Sequence, residues 1–595
     1  MKQFLFSAAG AFAGIFLFAI LALFIIPVMI VSAISSSIGE PELAAPVGDS
    51  VVVELDLRLP RLDQPVYSPF PANRTNSLIG LVETLQGAAS DDDVQAVIIR
   101  ANEIGMPAAH AEEIRAAIQT LKDAGKPVYV HSQGFYSTSV VPYAAIAAAD
   151  EIWLSPTAPF MSAGLASETP FYGGAIEQFG AQAQFLKIDE YKTSPNAFTE
   201  TDFTDAHREA TTSLLNSLYD NAVSSVAGGM ERTPDEVRAL FDNGPYLADA
   251  AVEAGLVDAL GRIEELRQTI GDTLEGARIV AIEDYAESRA RAWSSGPEIA
   301  LVSGQGAIVT GDTIDATGPF GGGDFMGSDT IARAIDDAAA SSAQAIVFRV
   351  DSPGGNVVAS DQIWKAVERA REAGKPVIIS MGSIAASGGY YVSMGADHIV
   401  ANESTVTGSI GIYMGKLVID GTLDRIGVNI EPLTVGGEFA GALSAQRAFT
   451  DTQEAALRAD LERNYQLFID KAAEGRGLTP EAVDAIARGR VWTGAQALDN
   501  GLVDETGGLT TAIAAAKRLA GIDADANITL TRFPARLTGW EAFRQFFGTG
   551  AETAQTLALI NELASSPEAR AILKARAEAD QAGRVQARSP ELELR

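Results

Sequence analysis

The chain contains itself twice, and this duplication limits the folds open to it more than any other feature. Gly125-Lys126-Pro127-Val128 recurs as Gly374-Lys375-Pro376-Val377. A strand-like run precedes each copy, VQAVIIR (94–100) and AQAIVFR (343–349), and a helical stretch lies between, at 111–124 and 360–373. Further on, EAGLVDALG (253–261) matches DNGLVDETG (499–507). Matching points lie about 250 residues apart throughout, as a tandem duplication requires. Within each copy, β-branched apolar runs of about four to six residues alternate with helices of roughly 10–15, which predicts parallel βαβ units and a sheet covered by helices. The expected layout is two α/β repeats, 47–290 and 297–535, with an apolar segment at 1–39 and an extension at 536–595. The extension starts with a helical pattern and ends in a polar stretch that reads as disordered.

The first segment differs in kind from the rest. No charged residue occurs from Gln3 to Gly39. Its apolar core exceeds the roughly 20 residues needed to span a bilayer and is too long for the cleaved core of a secretory signal, about 7–15 residues. A retained transmembrane helix is expected, with cleavage near Val31-Ser32-Ala33 as the lesser alternative. Lys2 precedes the segment and Glu40 and Glu42 follow it, so the positive-inside rule keeps the N-terminus in the cytoplasm and exports the repeats. The absence of cysteine excludes disulfides, zinc–thiolate sites and a cysteine nucleophile. A net charge of −33 spread along the chain argues against the basic surface that phosphate binding needs, so no nucleic-acid partner is expected.

Positions kept in both copies belong to the fold, and positions found in one copy are candidates for chemistry. The second copy carries RVDSPGGNV (349–357) where the first has RANEIGMPA. It also carries ASGGYY (386–391) where the first has TSVVPY, so Ser387 is a serine followed by glycines in one copy alone. Pro-Gly-Gly by itself reads as a tight turn, and Ser-Gly-Gly by itself says little. Together, one helix and one strand apart, they place two glycine-rich turns at the same edge of a parallel sheet. There, exposed N–H groups could meet a ligand.

A serine nucleophile needs a base. Of the four histidines, His398 lies nearest Ser387 in sequence. However, Asp397-His398-Ile399 aligns with Asp150-Glu151-Ile152, and a position that accepts glutamate reads as an exposed strand start. His110, His131 and His207 sit in the copy that lacks Ser387 and read as surface or helix residues. Lysine is the alternative. Tyr191-Lys192 in LKIDEYKTSPNAF (186–198) aligns with Phe439-Ala440, so one copy has the serine and the other the lysine. A lysine is a base near neutral pH only if burial lowers its pKa.

With DSPGG at 351–355, MGSIAASGGYY at 381–391, TGSIG at 407–411 and the Tyr191-Lys192 pair in this order, the sequence resembles the long, tandem form of the signal peptide peptidase A (protease IV) family over nearly its whole length. The resemblance implies a ClpP/crotonase-like α/β fold, a dyad of Ser387 and Lys192, and Ser409 orienting the lysine. It implies an endopeptidase for apolar peptides such as signal-peptide remnants, and a tetrameric, bowl-like assembly at the membrane. The backbone N–H groups of Gly355 and Gly388 are the expected oxyanion hole, and no metal or cofactor is called for. One departure stands out: the run after the Tyr-Lys pair is TSPNAF, without the family's glutamate before the proline. Acyl-CoA hydratases of the same fold are the enzymatic rival, and a membrane-tethered scaffold is the non-enzymatic one. Neither needs a serine–lysine pair.

Overall fold

The computed structural model describes residues 48–64, 75, 77–289, 293–313 and 325–534. The segments expected to be an anchor (1–39) and a C-terminal extension (536–595) lie outside them. Among the described residues no helix is long and apolar enough to cross a membrane.

Two parallel-rich sheets dominate, one from each half of the chain. In the first, Val51–Asp56 sits between Val94–Arg100 and Arg278–Ala281, and the sheet continues through Val128–Ser132 and Glu151–Leu154 to Ala259–Leu260. In the second, the order runs Thr529–Phe533, Glu298–Gln305, Ile346–Ser352, Val377–Ala386. The strands are near-continuous apolar runs because both faces are covered. Val51, Val53, Val97 and Ile99 face one core. The alternate residues Val52, Ala96 and Ile98 face Ile263, Leu266 and Ile270 of the helix Ile263–Thr273. The second sheet is sandwiched likewise, with Phe348 and Val350 on one face and Val347 and Ile378 on the other.

The same bonds recur in both halves and fix the alignment. Tyr143 donates its hydroxyl to the Leu256 carbonyl at 2.7 Å, as Tyr390 does to Leu502 at 3.0 Å. Asp150 accepts from the Val128 N–H, and Asp397 from that of Val377. The Val140 N–H bonds the Gly164 carbonyl, and the Ser387 N–H bonds that of Gly408. Val140, rather than Ser139, therefore stands in the place of Ser387, one residue away from the match suggested by TSVVPY and ASGGYY.

Several contacts join the halves. An antiparallel ribbon pairs Gln182–Lys187 of the first with Tyr413–Val418 of the second. On the strand Ile346–Ser352, Arg349 is fully buried between Asp63 and Glu113 of the first half; it donates to Glu113 at 2.7 Å and also bonds Ser380. Removing one member of such a buried group typically costs about 3–5 kcal/mol, because the remaining charge is left unpaired.

Candidate active site

Ser387 is delivered by a strand that changes partners midway. Val377–Ala386 pairs through Ile378–Met381 with His398–Ala401, then through Ile384–Ala386 with Val406–Gly408. At the strand's end Ser387 takes φ 55° and ψ −118° and opens the short helix Gly388–Tyr391. A non-glycine residue held at positive φ stores about 1–3 kcal/mol of strain. The Gly408 carbonyl and the Tyr391 N–H bond its backbone and hold it there.

The small residues around Ser387 are explained by close backbone contact. A Cβ on Gly388 would lie 2.6 Å from Ser360 Oγ and 3.0 Å from the Gly355 nitrogen. One on Gly354 would lie 2.5 Å from the Gly388 nitrogen, and one on Gly355 only 2.1 Å from the Ile308 carbonyl oxygen. The turn of DSPGG is thus pressed against the turn after Ser387. Gly388 is the first residue of its helix, so its N–H has no acceptor within the helix. Among the described residues neither it nor the Gly355 N–H meets an acceptor.

Lys192 arrives from the other half. Beyond the ribbon, the Ile188 N–H bonds the Ile412 carbonyl, so residues 188–192 run beside 412–409, with a turn at Asp189 (φ 62°). The Lys192 amine ends 3.0 Å from Ser387 Oγ, 3.0 Å from Ser409 Oγ and 3.0 Å from the Ser409 carbonyl oxygen, all within one chain. Its side chain is 2% exposed, and burial pushes its pKa from the ordinary lysine range down to about 7. Desolvation penalises the charged ammonium, and no carboxylate lies close enough to restore it. Near neutral pH the amine is therefore available in its unprotonated form. Ser409 is itself at positive φ (50°) and donates its N–H to the Arg490 carbonyl at 2.7 Å.

The histidines lie elsewhere. His398 begins its strand as expected, but it is half-buried against Glu505 at 2.9 Å rather than exposed. His207 is on the helix Asp205–Met230, packed on Phe171 and Phe203. His110 is on a helix too, yet buried 3.7 Å from Asp63. His131 corrects the expectation of a surface or helix residue: it is buried on the strand Val128–Ser132, where its Nε2 meets the Gly261 carbonyl at 3.1 Å. The run TSPNAF, which lacks the glutamate, places Asn196 in contact with the Lys187 amine at 2.9 Å.

Sequence reasoning missed the wall around the lysine. A Cβ on Gly489 would lie 2.5 Å from Lys192 Cα, and one on Gly411 would lie 3.3 Å from Lys192 Cδ. The signal was available in RGRVW (488–492), where repeat one has DNGPY (242–246) and neither arginine.

Comparison with known proteins agrees with this geometry. The model of Peptidase family S49 matches residues 120–275 and 369–523, once in each repeat. Protease 4 of Salmonella typhi is 32% identical over 75% of this chain and 72% of its own length. The chloroplastic serine protease SPPA of Arabidopsis thaliana is 30% identical over 76% of this chain and 67% of its own. Protease 4 of Haemophilus influenzae is 30% identical over 75% and 73%. With both repeats matched, and with relatives of this identity aligned over most of their length, the chain belongs to peptidase family S49 and is a serine peptidase.

Proposed function

We propose that the protein is a membrane-anchored endopeptidase of ClpP/crotonase-like fold that cleaves apolar peptides, such as signal-peptide remnants, with a Ser387–Lys192 dyad. The observation that carries this reading is the buried Lys192 amine 3.0 Å from Ser387 Oγ. The unprotonated amine takes the proton of Ser387, and Oγ attacks the peptide carbonyl carbon. The oxyanion is held by the N–H groups of Gly355 and Gly388. Losing one such donor typically costs about 2.7–4 kcal/mol of barrier. The Lys192 ammonium then protonates the leaving amine. Water, deprotonated by the same lysine, attacks the acyl-enzyme, and the acid departs as Ser387 regains its proton. Ser409 orients the amine between these steps through its hydroxyl and carbonyl.

The segment 1–39 anchors the chain in the cell membrane, with both repeats on the extracytoplasmic side; its uncharged apolar run supports this. A homotetramer is the proposed assembly. It is supported by an apolar stretch of repeat two left uncovered in the single chain, where Ile426, Leu433, Val435 and Leu443 are all exposed.

The test is hydrolysis of a fluorogenic apolar peptide by the full chain in detergent. Ser387→Ala and Lys192→Ala are each expected to lose activity while remaining folded. A Lys192→Ala variant at wild-type rate sinks the dyad.

A further inference from the structure

Lys192 is buried by a segment of the other repeat, and Arg490 of that segment ties the two repeats together beside it. The antiparallel pairing of Val491–Thr493 with Val406–Gly408 brings residues 488–490 across the end of the lysine segment. The Gly489 N–H bonds the Ile410 carbonyl at 2.7 Å, and its Cα lies so near Lys192 that no side chain fits between them. Arg490 then reaches in two directions. Its carbonyl accepts the Ser409 N–H, fixing the residue that holds the lysine amine. Its guanidinium lies over the ring of Tyr191, next to Lys192, at 5.0 Å, and over Trp492 at 4.4 Å. Its two terminal nitrogens bond the two carboxylate oxygens of Glu209 at 2.6 and 2.8 Å, a fork-to-fork pair to the helix Asp205–Met230 of repeat one.

We propose that Arg490 is a positioning residue for the general base: it clamps the segment of repeat one that carries Lys192 to the segment of repeat two that carries Ser409, and so sets both the reach and the dryness of the amine. The inference rests on the Ser387–Lys192 reading above. A lysine could not replace Arg490 fully, because a point charge offers neither the bidentate fork nor the planar stack on Tyr191.

Most of the charged groups on the elements around Lys192 are paired with one another. Glu190 lies 3.9 Å from Arg488, Arg488 lies 3.3 Å from Asp484, and Glu209 is bound by Arg490. Asp189, on the lysine's own segment, has its carboxyl raised by burial. Lys187 bonds Asn196. None of these bonds the Lys192 amine, and since loss of the Glu209 charge would by itself lower the amine's pKa, an upward shift in Glu209→Gln reports its hydration. Cutting the clamp admits water and lets the amine return toward the ordinary lysine value of about 10.4.

The experiment measures kcat and KM of the full chain on a fluorogenic apolar peptide from pH 5.5 to 9.5, with thermal melting of each variant. The variants are Arg490→Ala, Arg490→Lys and Glu209→Gln. Arg490→Ala is expected to lower kcat at pH 7 by about 10–100-fold with KM within about twofold, and to move the acidic limb up by about one pH unit or more. Arg490→Lys is expected to recover part of both. A purely structural role would scale kcat equally at every pH, and an unmoved limb in Arg490→Ala overturns the proposal. If that variant does not fold, Glu209→Gln, on an exposed carboxylate, is expected to shift the limb in the same direction by less, and no shift there overturns the proposal equally. Failure of the underlying dyad looks different: the wild type itself would show no ionisation near 7, and Lys192→Ala would remain active.

Discussion

Val140 and Ser387 occupy the same turn of the same fold, each with its N–H on a matching glycine carbonyl, yet the two turns are built for opposite purposes. Val140 has φ −77° and ψ −13°, an unstrained helical conformation, and its side chain is buried in the first core together with those of Val141 and Tyr143. Ser387 stands at φ 55° with glycines at the next two positions. The strand before Val140 ends at Ser132, whereas the strand before Ser387 runs on to Ala386. Met106 takes the place that Gly355 holds in repeat two, so the close approach of the two turns is lost as well. Repeat one fills its turn with side chains; repeat two keeps side chains out, and the Gly355 and Gly388 N–H groups are left without an acceptor among the described residues. The lysine is distributed in reverse, and the ribbon Gln182–Lys187 with Tyr413–Val418 helps lay the two halves side by side, so that the lysine of one meets the serine of the other.

The strongest way to break the comparison is to remove a hydroxyl from each turn. Ser387→Ala is expected to lower kcat by about 10⁴-fold or more, as loss of a nucleophile does. Ser139→Ala, at the serine that sequence matching pairs with it, is expected to leave kcat within about twofold. Peptide hydrolysis by both purified variants decides this, and a large loss in Ser139→Ala would mean that repeat one takes part in the chemistry.

Adding a methyl group to the second turn should come next in size. The Cβ of Gly388→Ala would press on Ser360 Oγ and the Gly355 nitrogen, so the oxyanion donors separate and kcat falls by about 10²–10³-fold. The counterpart Val141→Ala removes buried methyl groups from a core, which costs about 1–3 kcal/mol of stability and leaves kcat unchanged. Kinetics and melting of the pair should therefore show opposite losses. Equal kinetic losses would erase the distinction between a packed turn and a catalytic one.

Much of this asymmetry was legible in the sequence, because it is local. Strand runs, the GKPV repeats and the one-sided presence of Ser387 and Lys192 can each be read from a short window. Three things could not be read that way. The match of Ser139 with Ser387 followed residue identity, whereas the backbone follows the tyrosine hydroxyls of Tyr143 and Tyr390, one residue out of step. His131 is buried on its strand with its ring met by a carbonyl at Gly261, far along the chain, and nothing near it in sequence announces that partner. Arg349 looks like the end of a strand, as Arg100 does, and only the packing of the repeats shows that its charge is answered by Asp63 and Glu113. Tertiary partners decide each of these cases, and a single chain without its fold does not display them.

The pH profile sharpens the other half of the comparison. Only the unprotonated lysine takes a proton, so kcat/KM is expected to rise with pH through about 7 and to fall about tenfold per unit below it. The free enzyme's base sets this limb. An acidic limb that survives in the residual activity of Lys192→Ala would assign it to another group.

The smallest effect concerns stability and gives an independent reading of the same burial. Lys192 has a folded pKa of about 7, below its unfolded value, so between about 7 and 10.4 the unfolded chain holds a proton that the folded chain lacks. Stability must then rise with pH across that window and fall as pH drops through it, with the penalty fully present below about 7. Lys192→Met keeps an unbranched apolar side chain of similar reach and removes the titration. It is expected to be more stable than wild type at pH 7 by about 2–4 kcal/mol, with the gap closing by pH 10. Denaturant melts of the two proteins at pH 7 and pH 10 measure this directly. A gap that stays constant with pH would mean that the amine is hydrated in the fold, and that the wall of Gly411 and Gly489 does not keep it dry. The position of the acidic kinetic limb would then need a cause other than burial.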